Sequence, residues 1–260
     1  MAKKFITYNG TIVGDSGLTL LSAETPDPTT FSDTTSFEFD GVDDYLQNSS
    51  TFDTLDSNTQ FSISVWVKVN SLQQGFIFHS SNPAGTGVQV YMFMRSNGRI
   101  DVFSAGSSSN WTRSTTNLAA GSWYHIVMTL DQTIPSRYNM QKIYINGIEG
   151  DTSNYFGGNM GAGNILNIGR NFTSASYLDG LINELAIWSS HPLSQTEINE
   201  IYDNGPSDLT KVNTPPTSWY RSENATWNGS QWTMTDEVGN GTDLTSTNMV
   251  EANRTTDVPQ

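Results

Sequence analysis

The chain has 260 residues, no cysteine, and 12 Lys and Arg against 26 Asp and Glu, a formal net charge of -14. That length carries one large domain or two smaller ones, and the acidic balance excludes nucleic acid as a partner, because binding a polyanion rests on clustered cations. The missing cysteines exclude disulfide staples, a thiolate metal site and a Cys nucleophile, and they point to a bacterial or viral source. Charged residues make up only 15%, against a usual value of about 25%, and Ser, Thr, Asn and Gly fill the polar positions, a bias suited to strands and turns. No apolar run approaches the roughly 20 residues of a membrane helix, so no membrane insertion is expected. Met1 to Gly10 includes Lys3 and Lys4 but no apolar stretch of signal-peptide length, so the chain is expected to be made and folded in a cytoplasm. The Asn-X-Ser/Thr triplets at Asn110 and Asn171 are read as compositional.

Residues 1–35 form an N-terminal arm, with short strands expected at Ile12-Val13 and Leu18–Leu21 before Pro26 and Pro28 interrupt regular structure. Phe37 and Phe39 then alternate with polar neighbours at the strand period, Asp40-Gly41 marks a turn, and Asp43 and Asp44 stand beside it before Tyr45-Leu46 resumes the strand. Phe61 to Val69 alternates cleanly apart from Trp66, as a half-buried antiparallel strand does. Further strands are expected at Gly75–His79, at Val88–Met94 and Arg99–Phe103 around an Asn97-Gly98 type I′ hairpin, and at Trp123–Asp131. Lys142 leads a strand into Asn146-Gly147, Gly-rich loops surround Gly157 and Gly163, and strands follow at Ile165–Gly169 and Leu178–Trp188. Ser194 and Glu197 make a capping box, Leu193 and Ile198 a hydrophobic staple, and Asn204-Gly205-Pro206 a stop. They bound one short helix, expected on an edge of the sandwich with Ile198, Ile201 and Tyr202 facing inward. Residues 206–217 form a proline-containing linker, and 218–260 a tail of two short strands and a turn, too small for a core of its own.

Taken in this order, the segments Phe37–Leu46, Phe61–Val67, Trp123–Val127, Ile143–Gly147, Leu166–Gly169 and Leu178–Trp188, with the helix after them, resemble the laminin-G-like, concanavalin A-like jelly-roll superfamily. The resemblance covers about residues 36–205 and implies an all-β fold, a two-sheet antiparallel jelly-roll sandwich with one short C-terminal helix and a β-rich tail. Many members open with a strand of the type apolar-Trp/Tyr-apolar followed by an acidic residue and a Gly-Asn-Gly stretch. Nothing of that kind precedes Phe37, but Trp219-Tyr220-Arg221 and Asp236 to Thr242 look like that opening moved to the C-terminus. The tail is therefore expected to complete a sheet edge beside the Phe37 strand, within its own chain or on a neighbour. The tail, with Asp257-Val258-Pro259, also resembles endings found in virion proteins of marine tailed bacteriophages.

Three kinds of site are open to such a chain. A retaining glycosidase needs two carboxylates about 5 Å apart, and Asp179 and Glu184, five positions apart, point to opposite faces of a regular strand. No catalytic residue is assigned, and His79, His125 and His191 sit on separate segments. Hard cations want clustered oxygens at a loop, and Asp40, Asp43 and Asp44, with Asp179 brought near by the resemblance, are the candidate Ca2+ ligands. Trp111, on a loop, and Tyr177 are the candidate glycan contacts; Trp66 and Trp188 serve equally well as core. The expected function is a non-enzymatic structural virion protein, a capsid decoration or a head or tail appendage located on the virion. Its partners would be other copies of itself, other virion proteins and a host cell-surface glycan. The alternative is a free carbohydrate-binding, lectin-like module.

Overall fold

The computed structural model describes residues 6–8, 11–13, 31–48, 50–52, 54–55, 58–82, 89–104, 111–136, 140–151, 164–173, 176–239 and 241–260. The chain divides into two units, residues 1–32 and 33–260. The first carries an antiparallel hairpin of β1 (Ile6–Tyr8) and β2 (Thr11–Val13). The strand expected at Leu18–Leu21 and the loops at Gly157 and Gly163 lie outside the described residues.

The second unit is an antiparallel two-sheet sandwich. Its strands up to the first Asn-Gly hairpin are β3 (Ser36–Asp40), β4 (Tyr45–Asn48), β5 (Gln60–Val69), β6 (Gly75–Ser81), β7 (Val90–Met94) and β8 (Arg99–Ser104). There follow β9 (Thr112–Asn117), β10 (Trp123–Asp131), β11 (Gln141–Ile145), β12 (Ile148–Glu149), β13 (Ile165–Ile168) and β14 (Asp179–Ser189). The tail adds β15 (Ser218–Tyr220), β16 (Thr226–Trp227), β17 (Trp232–Met234), β18 (Leu244–Thr247) and β19 (Arg254–Thr255). Sheet I has eight strands in the order β12-β11-β10-β5-β14-β3-β19, with β15 also on β14; sheet II has nine, β16-β17-β18-β4-β13-β6-β7-β8-β9. Alternation places one face of each strand inward: Phe37, Phe39, Ile63, Val65 and Val67 of sheet I meet Leu46, Ile77, Met92, Val102 and Ile168 of sheet II in one core.

The other face of β5 carries Ser62, Ser64, Trp66 and Lys68, and it is covered. Helix α1 (Gln195–Asp203) has its Ser194 capping box, and Gly205 follows the C-cap at φ 64°. It lies on this face of sheet I and not on an edge as expected, with Tyr202 stacked on Trp66 at 6.0 Å between ring centroids. Both Asn-Gly hairpins form, with different turns. Asn146 and Gly147 both take positive φ, the type I′ signature. At Asn97-Gly98 only Gly98 does, and Gly98 N–H donates to Arg95 O at 2.9 Å, so this loop closes through a turn one residue longer with glycine at its end.

The tail touches both sheets. In sheet II, β18 pairs with β4 from Leu244↔Asn48 to Thr247↔Tyr45. In sheet I, β19 pairs with β3, Arg254 opposite Phe37, and β15 pairs with β14 through Leu185, Ala186 and Ile187. β3 occupies the same side of β14 from Asp179 to Ile182, so β3 and β15 lie end to end along it. Between them β14 has a register irregularity at Asn183–Ala186, where Glu184 takes φ 50°.

Candidate functional site

The face of sheet II that points away from the core is assembled from segments distant in sequence. One row of register partners runs Thr233, Thr245, Gln47, Asn167, His79, Tyr91 and Phe103, and it ends at Trp111, whose ring centroid is 5.8 Å from that of Phe103. Each member alternates with a core residue: Tyr91 with Val90 and Met92, Phe103 with Val102, Asn167 with Leu166 and Ile168. The row is polar at one end and aromatic at the other. A second row adds Phe76 opposite Phe93 and Phe93 opposite Asp101.

The aromatic half is a packed array separate from the main core. Tyr91 stacks on Phe103 at 4.9 Å and 14°, Trp111 meets Tyr91 edge-on at 5.2 Å, and Phe76 lies 4.7 Å from Phe93. Arg95 lies over both Trp111 (5.0 Å) and Phe93 (5.2 Å) and is held there by buried Asp101, to which it donates through Nε at 2.8 Å. At the junction of the halves, His79 Nδ1 and Asn167 Nδ2 are buried with no hydrogen-bond partner among the described residues. Burial pulls the His79 pKa down to about 4, so the ring is neutral at pH 7. On the polar side Arg170 donates to Asn167 Oδ1 at 3.1 Å, with its guanidinium over the Tyr45 ring.

Of the two residues expected to touch glycan, Trp111 stands in this array. Tyr177 follows Ser176, whose carbonyl accepts from the Phe76 N–H at 3.0 Å, and its own carbonyl accepts from Gln73 at 3.2 Å. The array was only half visible in the sequence. Tyr91, Phe93 and Phe103 show strand alternation, but Gln47, Asn167 and His79 join them only through cross-strand register. Trp66 and Trp188 are both buried, Trp66 beneath Tyr202 and Trp188 with its Nε1 donating to Thr214 O at 2.7 Å.

The acidic corner between β3 and β4 is tightly bonded. Asp40 Oδ1 accepts from the backbone N–H of Val42 (2.8 Å), Asp43 (3.1 Å) and Asp44 (3.3 Å). Burial pushes the Asp40 carboxyl up, but these bonds outweigh it and hold it below the usual range. Asp44 is buried, and that burial, with the charges of Asp40 and Asp43, raises its pKa to about 6 against the Asn253 Nδ2 bond at 3.0 Å. Gly41 takes φ 74°, and a Cβ there would lie 2.7 Å from Asp179 Cβ, so only glycine fits between the two segments. Asp40, Asp43 and Asp44 bring carboxylate oxygens within 4.8 Å of one another; Asp179, bonded to Ser71, stands outside that group.

A second acidic group was not foreseen. Asp33, Glu184 and Glu223 meet within the same 4.8 Å at the β14 irregularity. Glu184 accepts from Arg221 Nε at 2.9 Å and Trp219 Nε1 at 2.6 Å; burial raises its pKa to about 8 against the pull of Arg221. Nothing in the run Ile182 to Leu185 signals a left-handed glutamate.

With the fold and these sites in view, residues 40–199 match the model of a laminin-G type family in the concanavalin A-like lectin/glucanases superfamily, and the chain belongs to that family. Solved structures with the same fold include the following two. A putative carbohydrate binding protein from Bacteroides ovatus is 18% identical with a TM-score of 0.63, covering 88% of this chain and 61% of its own. A native heptameric SAP-like pentraxin from Limulus polyphemus is 16% identical with a TM-score of 0.54, covering 80% and 94%. No curated protein matches the sequence. Among the described residues no helix is long and apolar enough to cross a membrane.

Proposed function

We propose that this chain is a non-enzymatic, lectin-like carbohydrate-binding module and that it reads glycan on the outward face of sheet II. The observation that carries this is the half-polar, half-aromatic row from Thr233 to Trp111. Sugar recognition needs a ring for the apolar face of the pyranose and fixed amides and guanidinium groups for its hydroxyls; Tyr91 and Phe103 are buried and back Trp111, the partly exposed ring of the row, and Gln47 and Arg170 are partly exposed polar groups on the same face. The buried unpartnered His79 Nδ1 and Asn167 Nδ2 at the junction are groups that a bound hydroxyl or water would satisfy. Membership of a lectin and glucanase superfamily and the likeness to the putative carbohydrate binding protein of Bacteroides ovatus favour this reading over the virion one.

Neither acidic group suits hydrolysis. Asp40 caps a turn, and Glu184 is buried with both oxygens bonded. The acidic corner keeps a proposed second role as a Ca2+ site, in which the Asp40, Asp43 and Asp44 oxygens would supply hard ligands close to one another.

A glycan array tests the proposal. Wild type is expected to bind one glycan class, and Trp111→Ala to weaken that binding at least about tenfold, roughly 1.4 kcal/mol, at an unchanged melting temperature. Absence of binding to every glycan, or full binding by Trp111→Ala, overturns it.

A further inference from the structure

On the opposite sheet, beside the end of α1, a cleft of about 400 Å³ opens between Trp66, Trp123 and Tyr202, with Asn146, Asp203, Asn204, Gly205 and Gln260 completing its lining. Its walls come from five places: Trp66 from β5, Trp123 from β10, Asn146 from the type I′ turn after β11, Tyr202 to Gly205 from the end of α1, and Gln260 from the tail. The register fixes this meeting, with Trp123 opposite Lys68 and His125 opposite Trp66.

Among the described residues the one charged side chain that lines it is acidic. Asp203 projects from the helix at an exposed position. The last turn of α1 has no basic residue, so the negative end of the helix dipole and its terminal carbonyls are left without a cation. Among the described residues no Lys or Arg lines the cleft. The nearest cation across the register, Lys68, is held by Asp257, which also accepts from Trp123 Nε1 at 2.9 Å. Beneath the rings His125 is fully buried, 5.0 Å from Trp66 and 6.2 Å from Tyr202. Burial pulls its pKa down to about 3, and its Nε2 shares a hydrogen bond with Ser64, so it brings no positive charge.

We propose that this cleft binds an organic ammonium ion, a quaternary ammonium group of choline size. A cation gains from the faces of the two partly exposed rings, Trp123 and Tyr202, from Asp203 and from the helix end together. A neutral sugar can hydrogen-bond the same amides and carboxylate but gains nothing from the negative charge of Asp203 and the helix end, and the Trp66 face is already covered by Tyr202 at 25° to it. The site is independent of the glycan row, which lies on the other sheet.

Tryptophan fluorescence and calorimetry with choline and tetramethylammonium, against the uncharged isostere 3,3-dimethylbutanol, test it on the whole chain. Choline is expected to bind at millimolar concentration and the isostere at least about tenfold more weakly. Asp203→Asn, at an exposed position that leaves the fold intact, and Tyr202→Leu are each expected to weaken choline about three- to tenfold, while Trp111→Ala leaves it unchanged. Equal binding of choline and its isostere, no binding of either, or binding that Asp203→Asn and Tyr202→Leu leave untouched at an unchanged melting temperature overturns the proposal.

Discussion

Asp40 shows how one side chain can be read two ways. With three backbone N–H groups on one oxygen it is a turn cap, and the corner holds without any ion. Asp44 tells against that being the whole account. Its pKa, raised to about 6 by burial and by its acidic neighbours, means that folding favours the protonated form, so its stabilising contribution is full below the unfolded pKa and is lost as pH rises through about 6. Above that pH the corner holds like charges together, and a bound cation would reverse the penalty. Millimolar Ca2+ at pH 7.5 is therefore expected to raise the melting temperature, by an amount equivalent to about 2.7 kcal/mol at a hundredfold excess over Kd. EDTA should abolish the rise, and Asp43→Asn should diminish it. A melting curve indifferent to Ca2+ and EDTA leaves the corner as a turn cap alone. The sequence displayed these carboxylates plainly; what it did not display was how many of their oxygens the backbone already holds.

At the scale of elements, the irregularity in β14 joins three segments. Glu184 bonds Arg221 and Trp219 of the tail, Asn183 Nδ2 donates to Asp33 at 2.8 Å, and Glu223 Oε1 accepts from the backbone N–H of Thr34 and Thr35. Arg221 pairs with Glu184 at 2.9 Å and reaches Glu223 Oε2 only at 3.5 Å, and Asp33 Oδ2 is buried with no hydrogen bond among the described residues. Burial first, offset by the Asn183 bond, and then the Glu223 charge raise Asp33 to about 6. The stabilising contribution is thus present below an unfolded pKa near 3.8 and is lost as pH rises through about 6. Asp33→Asn supplies a permanent donor in the same shape. After discounting for its partial exposure, we expect it to stabilise the protein by about 1 kcal/mol above pH 7, with the gap closing toward pH 4. Denaturant titrations at both pH values check this, and a constant or reversed gap refutes the raised Asp33 pKa as its cause. The same scale shows where sequence reading failed. β5, β8 and β10 announce themselves because apolar residues alternate, whereas β9, Thr112 to Asn117, hides because its inward positions are Thr112 and Ser114. Thr112 bonds the Gln141 carbonyl across the sheets, so this edge is held by polar contacts that hydrophobic periodicity cannot report.

For the whole molecule the question is what the tail contributes. Reading the sequence places Trp219-Tyr220 and residues 236–242 as a displaced opening for the sandwich, because their order matches the resemblance; the pairing of β18 with β4 and of β19 with β3 joins segments at opposite ends of the chain and carries no local signal. In the structure the tail places Tyr220, Trp232, Met234, Leu244 and Met249 in the main core, all nearly or fully buried. Trp232 packs edge-on against Phe37 at 5.2 Å, and Arg254 crosses its ring at 5.6 Å while donating to the carbonyls of Glu223 and Ala225. At about 1.5–3 kcal/mol for each large buried side chain, these five contribute on the order of 10 kcal/mol, comparable to the whole stability of a typical domain, about 5–15 kcal/mol. Loss of β18 and β19 would also open the edges of β4 and β3 to pairing with other chains. A chain ending at residue 217 is therefore expected to lose its cooperative thermal transition and to aggregate. Adding residues 218–260 back as a separate polypeptide is expected to restore part of the transition, since the tail's contacts are to the surfaces it would leave exposed. A truncated chain that melts cooperatively within a few degrees of the full one would mean that the tail's burial is not needed to hold the sandwich together.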